Sequence, residues 1–384
     1  MSRPSEQKRR VVKQAGLRPK PQPGPQGTAE QRAVAQQMPR KKGLGSAPSK
    51  RDLKAGRYDR QWLWGPVQGM FLGRTTDPVA REAAASGGVL TATLCGLFER
   101  GEVDAVLAVG LDPKEPAQPR YLVLASAQAV LAHAGSVYSY IPATELRRAV
   151  REAEMAGHTR LAVVCQPCLV PVVRRWQVRG DYGIQAVLSF FCGWNMTYDA
   201  TGYLLGKAGI RPEEVRSLGY RRGPWPGGFG VTARDGREVR FGKESYELVN
   251  MMFLRPGCAR CAYYMGEGAD LVCGDAWLRN QPDLTSLLAR TERGMELLEG
   301  VRSRERVELF HLDEETLLRM HWHNLRYKKY GMSPGMQRLT RWFGRPWVQR
   351  MAPFRLLSLA SRWRRALKMG VDLERLEPVE GPLV

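Results

Sequence analysis

The 384-residue sequence contains no apolar run that approaches the roughly 20 residues of a membrane-spanning helix. Its opening residues, MSRPSEQKRRVVKQAG, are charged and lack the apolar segment of a secretory signal. We therefore expect a chain that works in the cytoplasm, in a reducing environment. Cysteines in such a setting are more often metal ligands or core residues than disulfides.

Histidine is scarce, with five residues in the whole chain, and no spacing among them indicates a metal site or a Ser/His/Asp triad. His321 and His323 flank Trp322 on a predicted helix, so their imidazoles are expected to point in different directions. No catalytic residue is assigned, and the seven cysteines become the main candidates for chemistry.

Acidic residues are absent from residues 321–370, which contain 12 Lys and Arg, while residues 1–60 contain 16 basic and 4 acidic residues. The formal net charge is +21, and the segment 61–320 is neutral. The excess positive charge therefore bears on what the two ends of the chain bind and not on chemistry in the segment 61–320. Since residues 1–57 contain no aromatic side chain for base stacking, we expect no specific nucleic-acid ligand.

The composition divides the chain into three parts. Residues 1–58 are rich in Gly, Pro, Gln, Lys and Arg, which predicts a disordered basic tail. Residues 59–330 are expected to form the folded domain, and residues 331–384 a basic amphipathic helical extension with breaks near Pro346 and Pro353. Such helices suit an anionic membrane surface, and they are equally consistent with a cap on the domain or with docking to an acidic protein.

Short apolar runs alternate with helical patterns from about residue 85, which predicts an α/β fold with a mainly parallel sheet flanked by helices. The segment 228–242 is expected to add an antiparallel hairpin, because Asp235-Gly236 is a favoured turn. Strands are predicted at 103–110, 121–126, 160–165 and 184–192, and helices from near Gly88, at 143–157 and at 170–178.

Four cysteines fall in three predicted loops. Cys168 follows the strand 160–165, Cys192 ends the strand 184–192, and Cys258 and Cys261 stand two residues apart in RPGCARCAYY. If the sheet is parallel, Cys168 and Cys192 lie at its carboxyl edge, where open α/β sheets bind ligands. Four thiolates suit zinc and iron–sulfur clusters alike, and the spacing does not decide between them.

The remaining cysteines have simpler readings. Cys165 could pair with Cys168 as a thioredoxin-like dithiol, but that leaves Cys192 and the Cys258/Cys261 pair unexplained. Cys95 lies on the apolar face of its predicted helix and Cys273 within a predicted strand, so both are expected to be core residues.

A series of short motifs runs along the chain. They are Ser86-Gly87-Gly88, Gly135-Ser136-Val137-Tyr138, Gln166-Pro167-Cys168, Phe191-Cys192-Gly193, Tyr220-Arg221, Trp225-Pro226-Gly227, Cys258-Ala259-Arg260-Cys261, Ala269-Asp270, Gly274-Asp275-Ala276-Trp277 and Arg290-Thr291-Glu292-Arg293-Gly294. In this order they resemble the family of coenzyme F420 hydrogenase/dehydrogenase beta subunits, which includes the beta subunit of F420-reducing hydrogenase and 7-hydroxymethyl chlorophyll a reductase. The resemblance extends from about residue 67 to about residue 330.

The resemblance implies a redox enzyme built around FAD and at least one [4Fe–4S] cluster. It implies Cys168, Cys192, Cys258 and Cys261 as the cluster ligands, with Cys165 in the place of a family glycine. For FAD it implies Ser86, Gly87, Gly88, Gly135, Ser136, Tyr138 and Asp275. The first three also have a local reason, because backbone N–H groups at the start of a helix suit a pyrophosphate. The plain alternatives are a helix cap for the glycines and structural roles for Asp275 and Trp277.

Two departures from the family bear on function. Val137 stands where the family commonly has Lys, and the chain has no ferredoxin-like Cys-x-x-Cys-x-x-Cys segment before Cys95. We therefore expect an oxidoreductase that exchanges electrons, through one cluster, between an electron-carrier protein or partner redox subunit and a hydride-accepting small molecule such as F420. The alternative is a non-catalytic relative that keeps the cluster as a structural element and binds partners as a scaffold.

Overall fold

The computed structural model describes residues 28–36, 47–112, 114–281, 283–351, 371–373 and 375–384. Two sheets organise these residues, one of eight strands and one of three. The strands are β1 (Gly69–Thr75), β2 (Ala105–Leu111), β3 (Pro119–Leu124), β4 (Leu161–Cys165), β5 (Ile184–Phe190), β6 (Val215–Arg222), β7 (Gly228–Ala233), β8 (Glu238–Gly242), β9 (Leu271–Asp275), β10 (Thr285–Ala289) and β11 (Val307–His311).

The large sheet has a parallel centre and antiparallel flanks. Its strand order is β11-β1-β10-β9-β5-β4-β2-β3, in which β2, β4, β5 and β9 run parallel. On one side β3 pairs antiparallel with β2, and on the other side the pairs among β9, β10, β1 and β11 are also antiparallel. The α/β class and the predicted strands are confirmed, with β5 ending at Phe190 rather than at Cys192.

Helices cover both faces of the large sheet, as the apolar runs of β4 and β5 require. The helices are α1 (Ala29–Gln36), α2 (Lys50–Lys54), α3 (Arg60–Leu63), α4 (Pro78–Ala83), α5 (Val89–Glu99), α6 (Ala127–Ala132), α7 (Ala143–Met155), α8 (Val170–Val178), α9 (Asp199–Ala208), α10 (Lys243–Met252), α11 (Glu292–Arg302), α12 (Glu314–Tyr330), α13 (Pro334–Phe343) and α14 (Pro346–Met351). On one face lie α7, α8 and α12, which bury residues such as Val150, Trp176 and Leu317, and on the other lie α5 and α11.

The small sheet contains the predicted hairpin and one strand more. β7 and β8 pair antiparallel around the Asp235-Gly236 turn, and β6 joins the other side of β7. Together with α9 and α10 this sheet encloses a third hydrophobic cluster that includes Leu204, Phe229 and Val249. The unit is inserted between β5 and β9, which places it beside the carboxyl edge of the parallel strands.

The structure describes part of the predicted disordered tail, residues 1–58. α1 and α2 lie within this range, and α2 begins with a capping box between Ser49 and Asp52. Leu53 and Tyr58 pack against the main core. The capping box satisfies backbone N–H groups at the start of α2.

The structure also describes part of the predicted helical extension, residues 331–384. α13 and α14 are helical and broken near Pro346 as expected, whereas Pro353 lies outside the described residues. Near the end of the chain, Pro378 forms a β-bridge with Phe310, and Val379 and Leu383 pack on the core. Among the helices that the structure describes, none is both long and apolar enough to span a bilayer.

Candidate functional site

The four predicted ligand cysteines come together at the carboxyl edge of the parallel strands. Cys168 lies between β4 and α8, Cys192 follows β5, and Cys258 and Cys261 border a 3₁₀ turn. The backbone N–H of Cys192 donates to the carbonyl of Tyr264 at 2.9 Å, which ties the second loop to the third. Cys168 interacts most strongly with Cys261, and Cys192 and Cys258 also act on Cys168 electrostatically.

The four thiols lie close enough to affect one another's ionisation. Interaction between the Cys168 and Cys261 side chains lowers the pKa of Cys261 to about 6 and raises the pKa of Cys168 above its usual range. Burial raises the pKa of Cys192 to about 12, against the opposing effect of the Lys328 ammonium. Cys168 is exposed, whereas the other three are half-buried, so the group opens to solvent on one side.

The other cysteines lie in or beside the core. Cys165 is 1% exposed at the end of β4 and packs in the main hydrophobic cluster, and burial raises its pKa to about 12. Cys168 interacts with Cys261 and not with Cys165, so the structure does not favour a Cys165–Cys168 dithiol. Cys273 is buried in β9, and Cys95 is half-buried on α5 against the second cluster.

One face of α12 lies along the Cys192 loop. His321 packs edge-on against Phe191 with 4.8 Å between ring centroids, Asn324 approaches Gly193, and Tyr327 stacks on Trp194 at 5.9 Å. His321 is buried and His323 exposed, which confirms that the two imidazoles diverge. Burial lowers the pKa of His321 to about 3, so its imidazole is neutral. Lys328, on the same face of α12, is buried near Cys192 and Cys261.

Apart from the thiol group, a cluster of polar side chains surrounds Arg221 at the end of β6. Its guanidinium donates to both carboxylate oxygens of Asp275 at 3.0 and 3.4 Å, to the hydroxyl of Tyr138 at 3.1 Å and to the carbonyl of Ala85 at 2.6 Å. Burial by itself would raise the pKa of Asp275, but Arg221 and Lys243 outweigh it and hold that pKa below the usual value. Arg221 thus joins three segments that the sequence separates widely.

Those segments contain the residues predicted for FAD. Ala85 precedes Ser86, Gly87 and Gly88, and Gly88 is the N-cap of α5 with φ 77° and no side-chain cap. A Cβ on Gly87 would clash with the carbonyl of Gly73 and lie 2.8 Å from Thr285 Oγ1, so only glycine fits there. Gly135 has φ 115°, and Ser136 follows it two residues before Tyr138.

The thiol group and the Arg221–Asp275 group are in contact through Phe191. Its ring packs so closely on β9 that a side chain on Gly274 would overlap it. Phe191 is bonded to Cys192 and Gly274 is bonded to Asp275, so one van der Waals contact connects the cysteine group with the Arg221–Asp275 group. Two of the motifs that carry the family resemblance are therefore neighbours in space: Phe191-Cys192-Gly193 and Gly274-Asp275.

Buried polar atoms near Arg221 have no partner among the described residues. They are Nε of Arg221 and Nε1 of Trp225, both hydrogen-bond donors. Trp225 packs edge-on against Trp277 at 5.5 Å, and Lys243 lies over the Trp277 ring at 4.2 Å. Buried donors without acceptors are costly, and aromatic rings beside them suit a planar ligand rich in acceptors. The residues present therefore fit a flavin or a similar heterocycle.

Among the residues that the structure describes, no group of three or more His, Cys, Asp or Glu side chains is arranged to hold a metal ion. The four cysteines are nevertheless the residue type that an iron–sulfur cubane requires, in which each cysteine binds a different iron.

Comparisons with known proteins identify the family of this chain. Two family models match the chain, the N-terminal part of the coenzyme F420 hydrogenase/dehydrogenase beta subunit over residues 70–147 and its C-terminal part over residues 158–315. The chain belongs to this family of coenzyme F420 hydrogenase/dehydrogenase beta subunits.

Two curated relatives are F420-dependent oxidoreductases by name. The chain is 28% identical over 252 residues to the coenzyme F420-dependent sulfite reductase of Methanocaldococcus jannaschii, covering 61% of this chain and 37% of that protein. It is 29% identical over 225 residues to one of the subunits of the F(420)H(2) dehydrogenase of Methanosarcina mazei, covering 56% of this chain and 58% of that protein. The matches thus span between about a third and three fifths of these relatives.

A solved structure has the same fold. A chain of the F420-reducing [NiFe] hydrogenase complex from Methanosarcina barkeri superposes with a TM-score of 0.53 at 19% identity, covering 73% of this chain and 90% of that chain. At this level of identity the likeness concerns the fold alone.

Three residues have places that the sequence did not indicate. Tyr220 is 1% exposed and shares a hydrogen bond with Thr201 at 2.5 Å, so it is a core residue. The side chain of Arg221 is only 4% exposed and lies at the centre of its polar group. Val137, in place of the family lysine, packs against the third hydrophobic cluster.

Proposed function

We propose that this chain is an oxidoreductase that binds FAD and one [4Fe–4S] cluster. It passes electrons between a one-electron carrier or partner subunit and a hydride-accepting small molecule, F420 or another conjugated compound. The observation that carries the proposal is the contact of Phe191 with Gly274, which brings four gathered thiols next to a buried cationic site. A bound flavin would supply the exchange between hydride transfer and single-electron transfer.

The chain's own residues have distinct parts in this proposal. Cys168, Cys192, Cys258 and Cys261 would hold the cluster, and the buried ammonium of Lys328 would offset its negative charge. Ser86, Gly87 and Gly88 would present backbone N–H groups to the pyrophosphate of FAD. Gly135, Ser136, Tyr138 and Asp275 would line the same cofactor, and Arg221 would position these segments relative to one another.

A paired substitution tests the cluster ligands. Protein purified without oxygen should be brown, and Cys168→Ser should lower its iron content and its broad absorbance near 400 nm. Cys95→Ser is the matched control, because Cys95 lies on α5 outside the group and should leave iron and absorbance unchanged. Equal iron in Cys168→Ser and the parent protein would remove Cys168 from the ligand set.

We further propose that the basic C-terminal region lies at an anionic membrane surface of the cytoplasm. Phe343 and Val348 pack into the third hydrophobic cluster, so α13 and α14 cap the domain with one face. Their other face exposes apolar side chains among arginines, which suits lipid headgroups. The exposed apolar residues are Leu339 (39%), Trp342 (44%) and Trp347 (48%).

Co-sedimentation with anionic vesicles tests the membrane proposal. Replacing Trp342 and Trp347 by Ser should weaken binding, whereas Tyr198→Ser, which changes an equally exposed aromatic residue elsewhere, should not. Point variants are preferable to truncation after residue 330, since truncation would uncover Phe343's cluster. Unchanged binding by the double variant would contradict a role for this surface.

A further inference from the structure

The exposed side of the thiol group is rich in positive charge. Cys168 is the exposed member of the group, and three arginines come from the elements next to it. We call Cys168, Arg175, Arg255 and Arg260 the Cys168 face.

The arginines of the Cys168 face are held close to the thiols. Arg260 is exposed in the 3₁₀ turn between Cys258 and Cys261. The carbonyl of Arg255 accepts a hydrogen bond from the backbone N–H of Cys258 at 2.9 Å, and its guanidinium lies 3.3 Å from the ring centroid of Tyr140.

Arg175 contributes a third positive charge from α8. It is exposed on α8, the helix that begins directly after the Cys168 loop, and it acts electrostatically on Tyr263 together with Cys261 and Cys168. The sulfur of Cys261 lies 3.8 Å from the Tyr263 carbonyl oxygen. The structure gives Arg175, Arg255 and Arg260 no ion-pair partner among the residues it describes.

Carboxylates are missing from the segments that build this face. Residues 166–180, 191–198 and 254–266, which contain all four cysteines, include no Asp or Glu. The nearby Glu267 is 2% exposed and bonded to Lys329, so it does not offset the surface charge. The field at the exposed edge of the thiol group is therefore positive, which favours encounter with a negatively charged partner.

We propose that the Cys168 face is the docking site of a small acidic electron-carrier protein. This inference rests on the proposed function, since it assigns the surface through which electrons enter or leave the cluster. A protein partner fits better than a nucleic acid, because Arg255 covers the ring of Tyr140 and the face offers no stacked set of free aromatic rings. Electron carriers form small transient interfaces that depend strongly on charge.

Binding to proteins of opposite charge tests the proposal. An acidic bacterial-type ferredoxin and basic cytochrome c serve as probes, and calorimetry gives their dissociation constants at 20 and 300 mM salt. The anaerobically purified protein should bind the ferredoxin at low salt, with affinity that falls as salt rises, and should not bind cytochrome c. Arg175→Glu combined with Arg260→Glu should weaken ferredoxin binding roughly tenfold or more.

Arg216→Glu is the matched control. Arg216 is exposed on β6, away from the thiols, and its substitution changes the net charge by the same amount as each single substitution in the double variant. This variant should change the ferredoxin dissociation constant less than about twofold. Equal weakening by Arg216→Glu would mean that net charge alone governs binding and would overturn the site. Ferredoxin binding that the double variant retains, or equally tight binding of cytochrome c, would also overturn it.

Two further measurements distinguish failure of the docking proposal from failure of the proposed cluster. A single-stranded oligonucleotide that binds as tightly as ferredoxin and is lost in the double variant would assign the face to nucleic acid and refute the proposal. Iron content is measured in every sample before binding. Protein without iron that still binds ferredoxin at this face would refute the proposed cluster while leaving the docking site intact.

Discussion

Replacement of Arg221 by Met removes the side chain that holds the second polar group together. The guanidinium makes two bonds to Asp275 and one each to Tyr138 and Ala85, and its side chain is 4% exposed. Removing one partner of a buried ion pair costs about 3–5 kcal/mol, because the remaining charge stays buried without compensation. Lys243 remains 3.5 Å from Asp275, so we expect the lower end, about 3 kcal/mol.

Arg222 is the matched control for this change. It is the next residue of β6, is only half-buried, and donates to the hydroxyls of Thr232 at 3.0 Å and Ser217 at 2.8 Å. Two hydrogen bonds between a cation and neutral hydroxyls at a partly exposed site should cost no more than about 1–2 kcal/mol when lost. Arg222→Met should therefore destabilise the chain clearly less than Arg221→Met.

Urea unfolding followed by circular dichroism measures both free energies of unfolding, and FAD titration measures the effect on the cofactor site. A double-mutant cycle with Asp275→Asn should give a coupling of about 1–3 kcal/mol between Arg221 and Asp275. Arg221→Met should also weaken FAD binding, whereas Arg222→Met should not. A loss below about 1 kcal/mol, or equal losses in the two variants, would refute the central position given to Arg221.

Other consequences follow from single contacts. Gly274→Ala should displace the Phe191 ring, cost about 1–3 kcal/mol in unfolding free energy and lower iron retention, and a variant with normal stability and iron would contradict the contact. Lys329→Met leaves Glu267 buried without its 2.6 Å partner and should cost about 3–5 kcal/mol in urea unfolding; a loss of under 1 kcal/mol would count against a buried pair. The depressed pKa of Asp275 stabilises the fold above about pH 4, and this contribution is lost as the pH falls through the folded value, so the stability gap between the parent and Asp275→Asn should shrink below pH 4. A gap that is constant from pH 7 to pH 3 would be inconsistent with that shift.

The sequence predicts the parallel centre of the fold well because its signals there are local. β4 is apolar at every position and is bounded by polar residues, and the Asp235-Gly236 turn specifies a hairpin by backbone conformation alone. Cys168 and Cys192 could be placed at one edge of the sheet because they follow β4 and β5, which run parallel.

The parts that could not be predicted depend on contacts between distant residues. Nothing around Arg221 indicates that Ala85, Tyr138 and Asp275 will surround it, since those residues are 54 to 136 positions away. His321 and Lys328 lie on a helix with no distinctive pattern, and only its packing on the Cys192 loop makes them part of the site. Residues 371–384 have a net acidic composition, yet Pro378 forms a β-bridge with Phe310 of β11, at the edge of the large sheet.

Metal and flavin analysis of protein purified without oxygen tests the central claim most directly. The account predicts about four iron atoms and about four inorganic sulfides per chain, as one [4Fe–4S] cluster requires, together with about one FAD. Zinc in place of iron, or a colourless protein that takes up neither iron nor flavin after anaerobic reconstitution, would contradict it.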